Sequence, residues 1–276
     1  MDTARPSAHD ASQPAAPATH VLQPAEWGGV VLVGAGPGDA ELLTLKAARV
    51  LASARVVLYD NLVSDDVLRL IPQDAERIYV GKRSSNHTLP QEGIIELMVR
   101  LAKAGKSLVR LKGGDPYIFG RGGEEAEALA AEGIACETVP GISAAQGASA
   151  STGIPLTHRD HAAMLVFATG HLQGEGEERI VALDWAALAR PHQTVVIYMG
   201  VGTLPVICAK LVEHGLSGHT LAALVERATR PDQRTIVGTL ETLPALSLKH
   251  GVHPPALIMI GDTVSLQERI GGPALR

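Results

Sequence analysis

The stretch VVLVGAGPGD at residues 30–39 decides the fold. Four aliphatic residues run into a glycine-rich turn, and a helical period follows over residues 41–53, with Leu43, Ala47, Val50 and Leu51 on one face. A strand that turns tightly into a helix is the opening unit of an α/β chain, and glycines at such a turn let backbone approach a ligand. The same texture continues outward. Residues 55–59, 77–80 and 107–111 read as strands, and residues 91–104 as a helix whose apolar side carries Ile94, Leu97, Met98 and Leu101. A helix from residue 124 to near Gly133 and a small-residue helix over residues 142–152 complete this half.

The turn-rich residues 153–160 mark a boundary. Beyond it, strands are expected at residues 164–168, 194–198, 221–225, 235–237 and 256–260. Leu204, Ile207, Cys208, Leu211 and Val212 follow the spacing of an amphipathic helix that stops before Gly215. The chain shows no internal repeat, so the expected architecture is two unlike α/β domains with largely parallel strands, residues 27–153 and 154–276, and a cleft between them. Residues 1–26 contain seven Ala and four Pro and too few branched apolar residues to offset the entropy of ordering, which reads as a disordered tail.

Composition narrows the function. The 276 residues are 46% apolar, enough for a substantial core, and 24 Lys and Arg against 29 Asp and Glu give a formal net charge of −5. That balance argues against non-specific nucleic-acid binding. No apolar run is long enough for a membrane span, and the start lacks the pattern of a secretory signal. Two cysteines, Cys136 and Cys208, sit in apolar segments and fit a reduced, cytoplasmic protein. His158, His161 and His171 lack a metal-ligand spacing and cysteine partners, so no metal is expected.

The first glycine turn invites a dinucleotide reading, with Asp60 near the place of a ribose-binding acid. Against it, the third glycine of that fingerprint falls at Asp39, and Pro37 removes an N–H from the loop. A second cluster, RLKGGDPYIFGRGGEE at residues 110–125, also follows a strand and opens a helix. Residues 81–121 hold eight Lys and Arg against three acids, a local +5 that leaves −10 for the rest of the chain. This asymmetry suits a focused site for an anion.

Seven motifs in order, VGAGPGD (33–39), LYD (58–60), VGKR (80–83), RLKGGDP (110–116), PGIS (140–143), GIPLTHRD (153–160) and YMG (198–200), together resemble the uroporphyrinogen-III C-methyltransferases. The resemblance runs from about residue 30 to 270. It implies the two-domain tetrapyrrole methylase fold, a homodimer, and S-adenosylmethionine bound between the lobes, leaving as S-adenosylhomocysteine. It further implies methyl transfer to two pyrrole carbons, C2 and C7, of a polyacidic tetrapyrrole, giving precorrin-2 for sirohaem, cobalamin or haem d1. With no dehydrogenase or chelatase segment in the sequence, the implied chemistry stops at the methylated product.

Carried over position by position, the resemblance places Pro37, Gly113, Gly114, Asp115, Ile118, Ser143, Ala144 and Met199 at the cofactor. Ala228 stands where the family usually has glycine. Asp60 is implied as proton acceptor and Lys82 as proton donor, although an acid at a strand end also serves as a capping or cofactor-contacting group, and a lysine as a substrate carboxylate partner. Arg110, whose planar fork suits a carboxylate, is the expected substrate-positioning residue, with Arg83, His158 and Arg159 as further contacts. At a strand end Arg110 can instead pair with a neighbouring acid and hold the second glycine loop. A later corrinoid methylase of the same fold and a nicotinamide oxidoreductase are the competing functions, separated by substrate and by cofactor respectively.

Overall fold

The computed structural model describes residues 29–81, 90–171 and 181–271. The tail expected over residues 1–26 lies outside them, as do Lys82 and Arg83.

β1 (Val30–Gly34) leads to α1 (Leu45–Ala52), which starts later than the apolar period implies. Asp39 first caps a short 3-10 turn, and Thr44 then caps the α-helix, its hydroxyl accepting from the Ala47 N–H at 3.1 Å. Next come β2 (Val56–Tyr59), α2 (Asp65–Leu68), β3 (Glu76–Tyr79), α3 (Gln91–Lys103), β4 (Leu108–Lys112), α4 (Gly122–Ala131) and β5 (Cys136–Val139). The strands form one sheet in the order β3-β2-β4-β1-β5, parallel at every pairing. Alternation along β1 sorts its two faces. Val31 and Val33 pack with α1 and α2, whereas Val30 and Leu32 pack with Ile94 and Met98 of α3 and Leu129 of α4.

The second half contains α5 (Ala144–Thr152), β6 (Met164–Thr169), α6 (Trp185–Leu188), β7 (Gln193–Tyr198), α7 (Leu204–Glu213), β8 (Leu221–Glu226), β9 (Arg234–Thr239), α8 (Leu243–Lys249), β10 (Ala256–Ile260) and α9 (Gln267–Ile270). Its sheet runs β6-β7-β10-β8-β9, and here the expectation of largely parallel strands needs correcting: only β6 and β7 pair in parallel. Residues 227–233 link β8 to β9 too briefly for a crossover, and β10 enters reversed between β7 and β8. One face of this sheet is covered by α7 and α8, including Cys208, whose thiol burial pushes up to about 11. The other is covered by α5, whose Ala145 and Ala148 pack against Val196, Tyr198, Val225 and Met259. Helix α5 opens on a reciprocal cap between Ser143 and Gln146.

Among the described residues no helix is long and apolar enough to cross a membrane.

Candidate active site

Because the first sheet is parallel, its strand C-termini share one edge, where α/β sheets bind ligands. Residues 34–39 follow β1, Asp60 follows β2, Gly81 lies just beyond β3, residues 113–115 follow β4 and residues 140–143 follow β5. The two glycine loops are joined: Gly36 donates to the Gly114 carbonyl at 3.2 Å and Gly114 donates back at 2.7 Å. The third loop is pressed against both. A Cβ on Gly141 would stand 2.2 Å from the Gly114 oxygen and 2.9 Å from Gly34 Cα. Asp115 fastens the arrangement, its Oδ1 accepting from the Tyr117 N–H at 2.9 Å and its Oδ2 from the Gly141 N–H at 3.0 Å.

Above these loops lies a cavity of about 350 Å³ between the two sheets. Pro37, Gly113, Gly114, Asp115, Ile118, Ser143, Ala144, Met199 and Ala228 all line it, so the positions assigned to the cofactor converge on one space. Sequence reasoning did not single out Leu62, Phe119, Tyr198, Arg227 and Arg230, which also form part of the wall. Several of these sit on backbone that no motif announces. Phe119, Met199 and Arg227 adopt φ of 52°, 54° and 50°, left-handed values that side chains rarely take and that concentrate at functional sites. At Met199 this backbone accompanies a side chain left 53% exposed at the end of a buried strand. Tyr198 braces the far wall: its hydroxyl accepts from the Ala145 N–H at 3.1 Å, and its ring meets Phe119. Burial pushes the Tyr198 phenol above its ordinary value.

A second, more open recess of about 380 Å³ shares Phe119 and Met199 with the first. Tyr117, Arg121, Glu124, Thr169 and His171 line it. Arg121 is half-exposed and donates to Glu124 through Nε at 2.9 Å and Nη2 at 2.6 Å.

Arg110 does not face either cavity. It is buried, with Nη2 donating to Asp60 Oδ2 at 3.2 Å, Nε to Glu125 Oε1 at 3.3 Å and Nη1 to the Leu111 carbonyl at 3.0 Å. Instead of the substrate clamp expected from its fork, the structure presents the alternative: an arginine paired with neighbouring acids beneath the second glycine loop. The physical reason is strand parity. Arg110 shares its face with Leu108 and Lys112, and that face is roofed by α3 and α4 rather than by solvent. Asp60 keeps some exposure, and its Oδ1 accepts from the Leu62 N–H at 3.0 Å.

His158 and Arg159 are in a turn closed by the bridge between His158 and Ala162, and they line neither cavity. The His158 ring accepts from the Asp160 N–H at 3.1 Å, and Arg159 is exposed. Among the described residues no group of three or more His, Cys, Asp or Glu side chains is arranged to hold a metal ion.

Two glycine loops at the carboxyl edge of a parallel sheet, under a mixed second sheet, and a cavity between them define a class already visible in the motifs: the chain belongs to the tetrapyrrole (corrin/porphyrin) methylases, whose family model matches residues 29–244. Its similarities within that family are specific. It is 55% identical over 243 residues to a sirohaem synthase of Thioalkalivibrio sulfidiphilus and 53% identical to one of Nitrosomonas europaea, in each case over 88% of this chain. The chain spans about half the length of these relatives, 49% and 50%. Among solved structures, the uroporphyrin-III C-methyltransferase of Thermus thermophilus in complex with S-adenosylhomocysteine superposes with a TM-score of 0.72 at 42% identity, covering 87% of this chain and 100% of that one. A cobalt precorrin-4 methyltransferase superposes at 0.74 with 27% identity, over 86% of this chain and 95% of its own.

Proposed function

We propose that this protein transfers methyl groups from S-adenosylmethionine to two pyrrole carbons, C2 and C7, of uroporphyrinogen III, giving precorrin-2. The observation that carries the reading is the convergence of the nine residues assigned to the cofactor on one cavity. That cavity fits the cofactor. Its volume of about 350 Å³ falls in the range of small-molecule sites, roughly 300–1,000 Å³. Gly113 and Gly114, lacking side chains, let a ligand approach the backbone, Asp115 offers a carboxylate to amino groups, and Ile118, Ala144, Met199 and Ala228 supply apolar walls. When bound, the cofactor supplies an activated methyl group. The chain's own residues then align acceptor and donor, and in an in-line displacement alignment supplies much of the acceleration.

The second recess is the natural place for the tetrapyrrole, since it meets the cofactor cavity at Phe119 and Met199. Its cation is Arg121, better placed than buried Arg110 to meet a substrate carboxylate. Carbon methylation of a pyrrole leaves a cation that must lose a proton, and Asp60, held by Arg110 and the Leu62 N–H, is the acceptor. Lys82 as proton donor and Arg83 as a further substrate contact complete the proposal, as do a division into two lobes, a homodimer, and a cytoplasmic location. His158 and Arg159, which line neither cavity, are given no part in it.

The test is incubation with S-adenosylmethionine and freshly reduced uroporphyrinogen III, followed by mass analysis. The expected product carries two added methyl groups. No transfer, together with calorimetric binding of NAD and no response to S-adenosylhomocysteine, would replace the reading with an oxidoreductase; transfer only to a later corrinoid would move it within the family.

Asp115→Ala is expected to weaken S-adenosylhomocysteine about 10- to 100-fold. It frees two backbone N–H groups, each costing about 1–3 kcal/mol if left unpaired, and loosens the loop that shapes the cavity. Unchanged affinity by calorimetry removes Asp115 from the site.

A further inference from the structure

We propose that Glu125 is a positioning residue for methyl transfer, holding Arg110 so that its guanidinium fixes the carboxylate of Asp60. The inference rests on the reading of Asp60 as proton acceptor. Glu125 lies on α4 and is 0% exposed. Its Oε1 accepts from Arg110 Nε at 3.3 Å, Lys112 Nζ at 2.9 Å and Gln91 Nε2 at 3.0 Å, and its Oε2 accepts from Lys112 Nζ at 2.9 Å. With Nε held there and Nη1 on the Leu111 carbonyl, the remaining arm of Arg110 has one direction left, toward Asp60.

Stability is a poor explanation for this cluster. Buried ion pairs are often no better than well-packed apolar residues, and the strand neighbours of Arg110 in register are Leu32 and Leu58. The charges balance only as a set: Arg110 and Lys112 are matched by Glu125 and Asp60. Without Glu125, the two buried cations would compete for Asp60. Burial, and then the neighbouring Arg110, already hold the Lys112 ammonium below its usual value, with Glu125 acting against both. The arrangement therefore orients one anion beside Leu62, a residue of the cavity wall, and ties it through Arg110 to a carboxylate that never meets solvent.

The test compares Glu125→Gln, Asp60→Asn and the double variant in single-turnover methyl transfer with enzyme in excess. S-adenosylhomocysteine affinity and melting temperature are measured on the same proteins. Glu125→Gln is expected to slow methyl transfer about 10- to 100-fold, the scale for displacing a reacting group by about 1 Å. Cofactor affinity and the substrate KM should stay within about twofold, and in the Asp60→Asn background the same substitution should add less than about twofold. An equal loss in both backgrounds, an unchanged rate, or a matching loss of cofactor affinity overturns the inference while leaving Asp60 in place. A fully active Asp60→Asn protein overturns the reading of Asp60 and the inference with it. Should Glu125→Gln not fold, Glu125→Asp, which withdraws the carboxylate by one methylene, carries the same comparison.

Discussion

Gly141→Ala is expected to lower the melting temperature by on the order of 10 °C and to abolish measurable S-adenosylhomocysteine binding. The added methyl would stand 2.2 Å from the Gly114 oxygen and 2.9 Å from Gly34 Cα, so it meets main chain on two sides. Neither neighbour can swing away, because Gly114 is bonded to Gly36 and Gly34 ends β1, which is paired on both sides, with β4 and β5. Overpacking in a fixed environment costs about 1–3 kcal/mol and occasionally more, and a chain of this size loses about 2–4 °C per kcal/mol. The binding loss follows from the same contact: parting the loops also moves the Gly141 N–H off Asp115 and reshapes the cavity floor. Thermal melts and calorimetry measure both. A variant that binds the cofactor like the parent would show that these loops separate without harm.

Arg110→Met should be the most damaging side-chain truncation at the site. Removing one partner of a buried, bonded charge set costs about 3–5 kcal/mol, and here it strands the Leu111 carbonyl and one oxygen of Asp60. Arg110→Lys separates charge from geometry. An ammonium restores the net charge, but it cannot reach Asp60, Glu125 and the Leu111 carbonyl in the three directions of a planar fork. The lysine variant is therefore expected to recover at least half of the lost stability while methyl transfer stays nearly as slow as in the methionine variant. Melting curves and single-turnover rates on the same preparations decide it. A methionine variant that melts like the parent would return Arg110 to the role of substrate clamp.

Arg110 also marks where sequence reading stops. Its letter is the same whether its side chain meets a substrate or a buried acid. The usable sign was parity: residues 108, 110 and 112 share one strand face, and Leu108 belongs to the core. Two cations on an inward face, followed by the acid pair 124 and 125 at a helix start, mark a buried ion cluster. β1 and β2 were legible because their buried residues are aliphatic, and β4 because Leu108, Val109 and Leu111 are. β5 was not, since Cys136–Val139 is an edge strand buried fully only at Val139, and α2, α6 and α9 are too short to display a period. The reversed entry of β10 depends on where a distant strand fits, which no local pattern encodes. Convergence of the loops at residues 34–39, 113–115 and 140–143 was within reach, because each follows a strand of one parallel sheet and so ends at the same edge.

Helix α5 lies N-terminal to the turn at residues 153–160, yet it closes the second sheet. The halves of the chain are therefore not exchangeable modules. A chimaera that takes its C-terminal half from a relative must take residues 144–152 from the same parent, or Ala145 and Ala148 will face a surface shaped for other side chains. The same helix begins at Ser143 and Ala144 on the cavity wall, so the splice that spoils the packing also misaligns the binding loop. Recombination in this family is best placed after β5 and before Ser143, where the chain passes from one sheet to the other.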